Sequence, residues 1–334
     1  MRLLTLVGLL AGLILTGYLI SLHDVDAVWT SLVAVGWGFV LICLLLMLNI
    51  VVDAQCFRLI FPPAAMPSYW RVVWGTFVSR AVNTLLPMAA VGGELVKARI
   101  VIQGGSPGVL VGAATVVDKT VQAASLSLWG LFGLAVLLAS GAEGGIVRGA
   151  ALAVIGLGLG AAGFVLVQRT GALASFARRV QILFGRRAGA RVARFVDIAS
   201  CSDEALKDTY RRPWRFVAAV LLMTVSRVFT VLEVWLVARL IGLPIDFLDA
   251  LMLESLTSAI RGAIFVVPVG IGVQESAFVL LGALFGWPAE AMLAISLATR
   301  GREIVLAIPG LIGWQIAESR ILFRRVKRPR AAEG

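Results

Sequence analysis

The sequence predicts an all-α integral membrane protein, one membrane domain over residues 1–334, with about six full spans and two opposed re-entrant helical hairpins in an inverted repeat. Three observations predict it. Hydrophobic residues make up 60% of the chain and charged residues only 15%, with a mean hydropathy of +0.95. A soluble domain carries about 25% charged residues, so the surplus apolar surface is expected to face lipid. Long apolar runs alternate with basic connections, and two of the apolar regions are broken by Pro and Gly.

Apolar runs long enough to cross a hydrocarbon core of about 30 Å lie at 3–21, 35–56, 108–139, 148–168, 216–240 and 289–317. The first resembles a signal peptide, but no convincing cleavage site follows it, so a retained span is expected. Residues 22–34, 241–249 and 284–290 contain no Lys or Arg and are expected outside. The stretch 169–215 holds eleven Lys/Arg and the tail after Ser319 six more; both are expected inside. The expected location is the inner (plasma) membrane, with both termini cytoplasmic. Within the basic stretch, Leu173, Phe176, Val180 and Leu183 recur at helical spacing, away from Arg178 and Arg179. That pattern fits an amphipathic helix on the cytoplasmic surface or an ordinary basic loop.

The topology constrains the broken regions. Segment 68–102 starts inside at Arg71, and the span after it must run outward. Segment 248–286 starts and ends outside. Each is therefore expected to enter and leave by one face, as a hairpin of two half-helices. Such breaks are tolerated in a membrane only within protein or along a cavity.

An ungapped offset of 181 residues superimposes the two regions. Arg80 falls on Arg261, Pro87 on Pro268, Glu94 on Glu275 and Lys119 on Arg300. Asp53 and Glu233 match to within one position. Each copy reads Arg, Pro seven positions on, Glu seven further, and a cation 25 positions after that Glu. Repeat one is assigned to 35–139 and repeat two to 216–317. Their opposite orientation, with interrupted helices, is a pattern of secondary transporters.

Candidate site residues come from these motifs. Glu94 and Glu275 should lie in the first turn of a half-helix, where unpaired N–H groups favour anions. Each Glu either caps its own helix or shapes a site for a lipid head group. Arg80, Lys119, Arg261 and Arg300 are intramembrane cations, suited either to phosphate or to ion pairs with Glu94, Glu275 and Asp118. Asp118 is expected to pair with Lys97 or Arg80, or to carry a coupling proton. Arg227 and Glu233 lie inside span 216–240 without a second element to support a role. Gly92, Gly93, Gly270 and Gly272 serve the backbone breaks, with Pro87 and Pro268, and Asn83 is expected to satisfy carbonyls freed there.

Other chemistries lack residues. His23 is the single histidine, and the three cysteines, Cys43, Cys56 and Cys201, form no CxxC motif. No metal site and no cofactor are expected. The net charge of +11 sits at the ends of apolar segments, so nucleic acid is not an expected partner.

The motifs Asn83-Thr-Leu-Leu-Pro87-Met-Ala-Ala-Val-Gly92-Gly93-Glu94-Leu-Val-Lys97 and Val267-Pro268-Val-Gly270-Ile-Gly272-Val-Gln-Glu275, with Val117-Asp118-Lys119 between them, resemble the membrane region of lysylphosphatidylglycerol synthases and its stand-alone relatives. The resemblance covers roughly residues 5–320. It implies a lipid-flipping membrane region; in that family a separate soluble domain transfers the aminoacyl group, and with no such domain expected here synthase activity is not implied. It also implies a setting beside glycosyltransferase and hopanoid-pathway proteins, including the hopanoid-associated branch.

The expected function is therefore a flippase-like transporter of an anionic, isoprenoid or hopanoid lipid, not an enzyme, with membrane lipids as partners. Two alternatives stay open. One is a non-transporting membrane partner of a lipid-biosynthesis or glycosyltransferase enzyme. The other is an enzyme that modifies a lipid head group.

Overall fold

The computed structural model describes residues 29–30, 33–85, 92–141, 144–170, 204, 208, 210–263 and 272–326. The expected first span 3–21 lies outside these residues. So do most of the basic stretch with Leu173, Phe176, Val180 and Leu183, and the break residues Pro87, Pro268 and Gly270. The described chain contains no strand.

The helix α1, Gly38–Leu59, shows how a lipid-facing helix differs from a soluble one. Ile42, Leu46, Asn49, Ile50, Ala54 and Phe57 are buried at helical spacing. The opposite face is equally apolar, yet Val40, Leu41, Leu44 and Leu48 are about half exposed. A water-facing surface would place polar groups there; a bilayer requires none.

A 3-10 turn at Pro63–Ala65 leads into the first broken region. It folds as α2, Tyr69–Leu85, and α3, Gly92–Ile102, packed on each other. At 17 and 11 residues they rise about 25 and 16 Å, too short to cross the core singly. Two long apolar helices follow, α4, Gly108–Ala139, and α5, Gly145–Arg169. Leu152, Leu159 and Leu166 point outward from α5, each more than 60% exposed.

The span expected at 216–240 is built of two helical pieces, α6, Pro213–Ser226, and α7, Val228–Leu240, joined at Arg227. The second broken region folds like the first, as α8, Phe247–Ala263, and α9, Val273–Leu284, which also pack together. The chain then runs through α10, Ala289–Val326. Its 38 residues, about 57 Å, continue past Pro309, which removes one backbone donor from the helix.

Among the described residues four stretches are long and apolar enough to cross a membrane: Gly38–Leu59, Gly108–Ala139, Val147–Gln168 and Pro213–Leu240. They coincide with four of the six expected spans. The sixth, at 289–317, forms as a helix, but Glu290, Arg300, Arg302 and Glu303 make its first half polar.

Two large apolar clusters fill the interior. One joins Phe57, Val72, Val117, Val121, Ala219 and Met223, from α1, α2, α4 and α6. The other centres on Val231, Val234, Leu253, Leu256, Phe278, Met292 and Ile295, from α7 to α10. Close helix approach links them: a Cβ on Gly133 of α4 would lie 1.8 Å from Ser255 Oγ of α8. Small residues at such crossings are how membrane helices gain contact without a hydrophobic driving force.

Candidate functional site

The polar side chains between the helices form linked groups. The first is built around the start of α3. Its N-terminus needs acceptors for free N–H groups, and Asn83 Oδ1 on α2 accepts from Gly93 N at 2.9 Å. Asn83 thus acts at the break, but on an N–H of the second half-helix. Gly93 has to be glycine, because a Cβ there would meet Ser79 O at 2.2 Å. The next residue, Glu94, is buried. Its Oε1 lies 2.5 Å from Lys119 Nζ and its Oε2 2.8 Å from Lys97 Nζ.

Lys97 is the hub of this group. It is 4% exposed and also contacts Asp118 Oδ2 at 2.6 Å. Its ammonium sits 4.4 Å from the Phe57 ring centroid, a favourable place for a desolvated cation. Gln122 donates to Asp118 Oδ2 at 3.0 Å and accepts from Lys119 at 3.1 Å. Two cations thus meet two carboxylates. Of the two partners expected for Asp118, Lys97 is the one present.

The second group repeats the plan at the start of α9. Gly272 takes a positive φ of 80°, and its N–H donates to Glu275 Oε2 at 2.8 Å. Glu275 therefore caps its own helix while fully buried. Arg300 grips the same carboxylate with Nε at 2.8 Å and Nη2 at 3.2 Å. The two cations expected 25 positions after each Glu are thus both at their Glu.

Arg80 and Arg261 depart from the expected ion pairs. Arg80 on α2 pairs with Asp53 of α1 instead, and donates to Asn49 Oδ1 at 2.5 Å. Arg261 on α8 donates to the neutral Gln274 Oε1 at 2.9 Å. The physical reason is position: each Arg sits on the first half-helix, where its nearest acceptors are on a packed neighbour or on the facing half, not at the paired Glu.

Sequence reasoning missed two further elements. Arg302 pairs with Glu233, bringing α10 to α7, with the Arg side chain 6% and the Glu side chain 0% exposed. Glu254 accepts from Trp129 Nε1 at 2.6 Å and from Ser258 Oγ at 2.8 Å. An intramembrane carboxylate is itself the signal that points to each, since its desolvation demands a partner.

Outward apolar faces around an interior of paired charges define a polytopic helical membrane protein with a buried polar centre. The chain matches the family described as the lysylphosphatidylglycerol synthase TM region over residues 5–310, and it belongs to that family. No curated protein matches it, and no solved structure does. The family ties the chain to a lipid-related process in a membrane.

Proposed function

We propose that the protein moves a lipid across the inner membrane, in a flippase-like manner, with the two Glu-centred groups lining the head-group path. The carrying observation is the matched pair of groups. In both copies a Gly-led half-helix starts with a buried Glu, and a cation 25 residues later holds it. The inverted repeat is supported by the 181-residue offset, by the matching pairs of short helices and by the distribution of Lys and Arg, which also supports cytoplasmic termini. On this reading 68–102 and 248–286 are re-entrant, and the head group crosses between them while the tails stay in lipid. Arg80, Lys119, Arg261 and Arg300 supply the cations along the path, and Lys119 and Arg80 are each 38% accessible. Asp118, held by Lys97, is the candidate for coupling.

Reconstitution tests this. Liposomes containing only this protein would carry a head-group-labelled lipid, with an impermeant quencher added outside. Wild type should expose the protected inner label. Glu94→Gln and Glu275→Gln each weaken charge-assisted bonds worth about 1.5–3 kcal/mol, and should slow exposure by about ten- to hundredfold. Label that stays protected with several lipid classes and with an imposed ion gradient sinks the transport reading.

A further inference from the structure

Most interior cations have a carboxylate at ion-pair distance: Lys97, Lys119, Arg300, Arg302 and Arg80. Among the described residues Arg227 and Arg261 do not, nor does Arg215 at the start of α6. Arg227 Nε donates to Ser125 Oγ at 3.0 Å and Arg261 to Gln274, both neutral. The two segments that close the broken regions, 86–91 and 264–271, contain no acidic residue.

Arg80, Arg227 and Arg261 converge. Ser226 Oγ donates to Asp53 Oδ1 at 3.0 Å, and Asp53 holds Arg80. Asn49 bridges the same pair, donating to Ser226 O at 2.8 Å and accepting from Arg80. On the other side Gly262, next to Arg261, sits so close to Leu126 that a Cβ would lie 2.5 Å from Leu126 Cδ2. Leu126 adjoins Ser125, the acceptor for Arg227. The charged neighbours of Arg227 are Glu254, Asp53, Arg261 and Arg80. Glu233, paired with Arg302, also acts on Arg80 and Glu254, so these carboxylates are shared, and none is at ion-pair distance from Arg227 or Arg261.

Its depth matters. Arg227 joins α6 to α7 in the span Pro213–Leu240, with 14 residues before it and 13 after. It therefore lies about 20 Å along the helix from either end. A guanidinium held at low dielectric by neutral partners alone is costly unless an anion meets it. Arg matches phosphate with two parallel donors.

Resting on the transport reading, we infer that Arg227, with Arg80 and Arg261, forms a midplane receptor for the phosphate of an anionic lipid, and that Arg227 selects anionic over zwitterionic cargo. Thermal melting of the detergent-purified full chain tests it, with short-chain phosphatidylglycerol, short-chain phosphatidylcholine or inorganic phosphate added. Phosphatidylglycerol should stabilise wild type saturably, and the other two should not. Arg227→Gln should need at least about tenfold more phosphatidylglycerol, the loss of one charge-assisted bond, while Arg227→Lys keeps most of the effect. If Arg227→Gln gives no cooperative melt, Arg261→Gln takes its place with the same expectation. Equal stabilisation by the two lipids, unchanged affinity in the variant, or full stabilisation by inorganic phosphate alone overturns the inference. Selective binding without movement in liposomes sinks only the transport reading. Movement without head-group preference, unaltered in Arg227→Gln, sinks only this one.

Discussion

The two broken regions share a skeleton and differ in what surrounds it. Glu94 is held by two lysines, each through a single contact, whereas Glu275 is held by one arginine through two. The 181-residue offset puts Phe278 where the first region has Lys97, and Thr299 where it has Asp118. Phe278 is 3% exposed and belongs to the apolar cluster; Thr299 accepts from Gln274 Nε2 at 3.2 Å. The Lys97–Asp118 pair is thus an addition of the first region alone. The comparison teaches that the constant requirement is a satisfied Glu at the helix start. The means, two lysines and a second carboxylate or one arginine and a cap, are interchangeable in charge.

The sharpest way to break this comparison is to convert one region into the other. Lys97→Met leaves Asp118 buried beside an apolar side chain and should cost about 3–5 kcal/mol, since removing one partner of a buried pair strands the other charge. Lys97→Phe combined with Asp118→Thr copies the second region and should recover most of that loss. Tryptophan fluorescence melts in detergent would compare the two proteins. A double variant no more stable than the single one would mean that the regions are not equivalent in packing.

A smaller effect is expected at the glycines that start each second half-helix. Gly93→Ala drives a methyl into Ser79 O and Asn83 and should cost about 1–3 kcal/mol by overpacking. Gly272→Ala meets a different obstacle, a positive φ, and should cost about 1–2 kcal/mol. Parallel melts, with Gly112→Ala as a control where a Cβ meets nothing within 4 Å, check both.

The smallest effect belongs to the periphery. Arg99 pairs with Glu318, but its side chain is 55% exposed. Glu318→Gln should change stability by less than about 1 kcal/mol. A shift as large as that of Lys97→Met would show that charge pairing matters equally at the rim and in the centre.

Much of the architecture was legible in the sequence. The broken regions fold as pairs of short helices, α2 with α3 and α8 with α9, and the sequence places Pro87 and Pro268 between the two members of each pair. The Glu–cation spacing of 25 held in both copies because each cation rides on the helix that follows its Glu. Arg80 was legible as an interior cation, but its partner was not. Asp53 lies 27 residues earlier, on α1, and only the packing of α1 against α2 brings them together.

Composition, apolar run length and the position of Pro and Gly determined by themselves that this is a helical membrane protein with two interrupted regions. These are local properties, set by what lipid and the backbone tolerate at each point of the chain. Tertiary structure alone decided that Lys97 joins two carboxylates, that Arg302 finds Glu233, and that Arg227 lies among Arg80, Arg261, Asp53 and Glu254. Each of these depends on which faces of distant helices meet. No period along one helix encodes that, because a buried charge is specified only by the partners that packing brings to it.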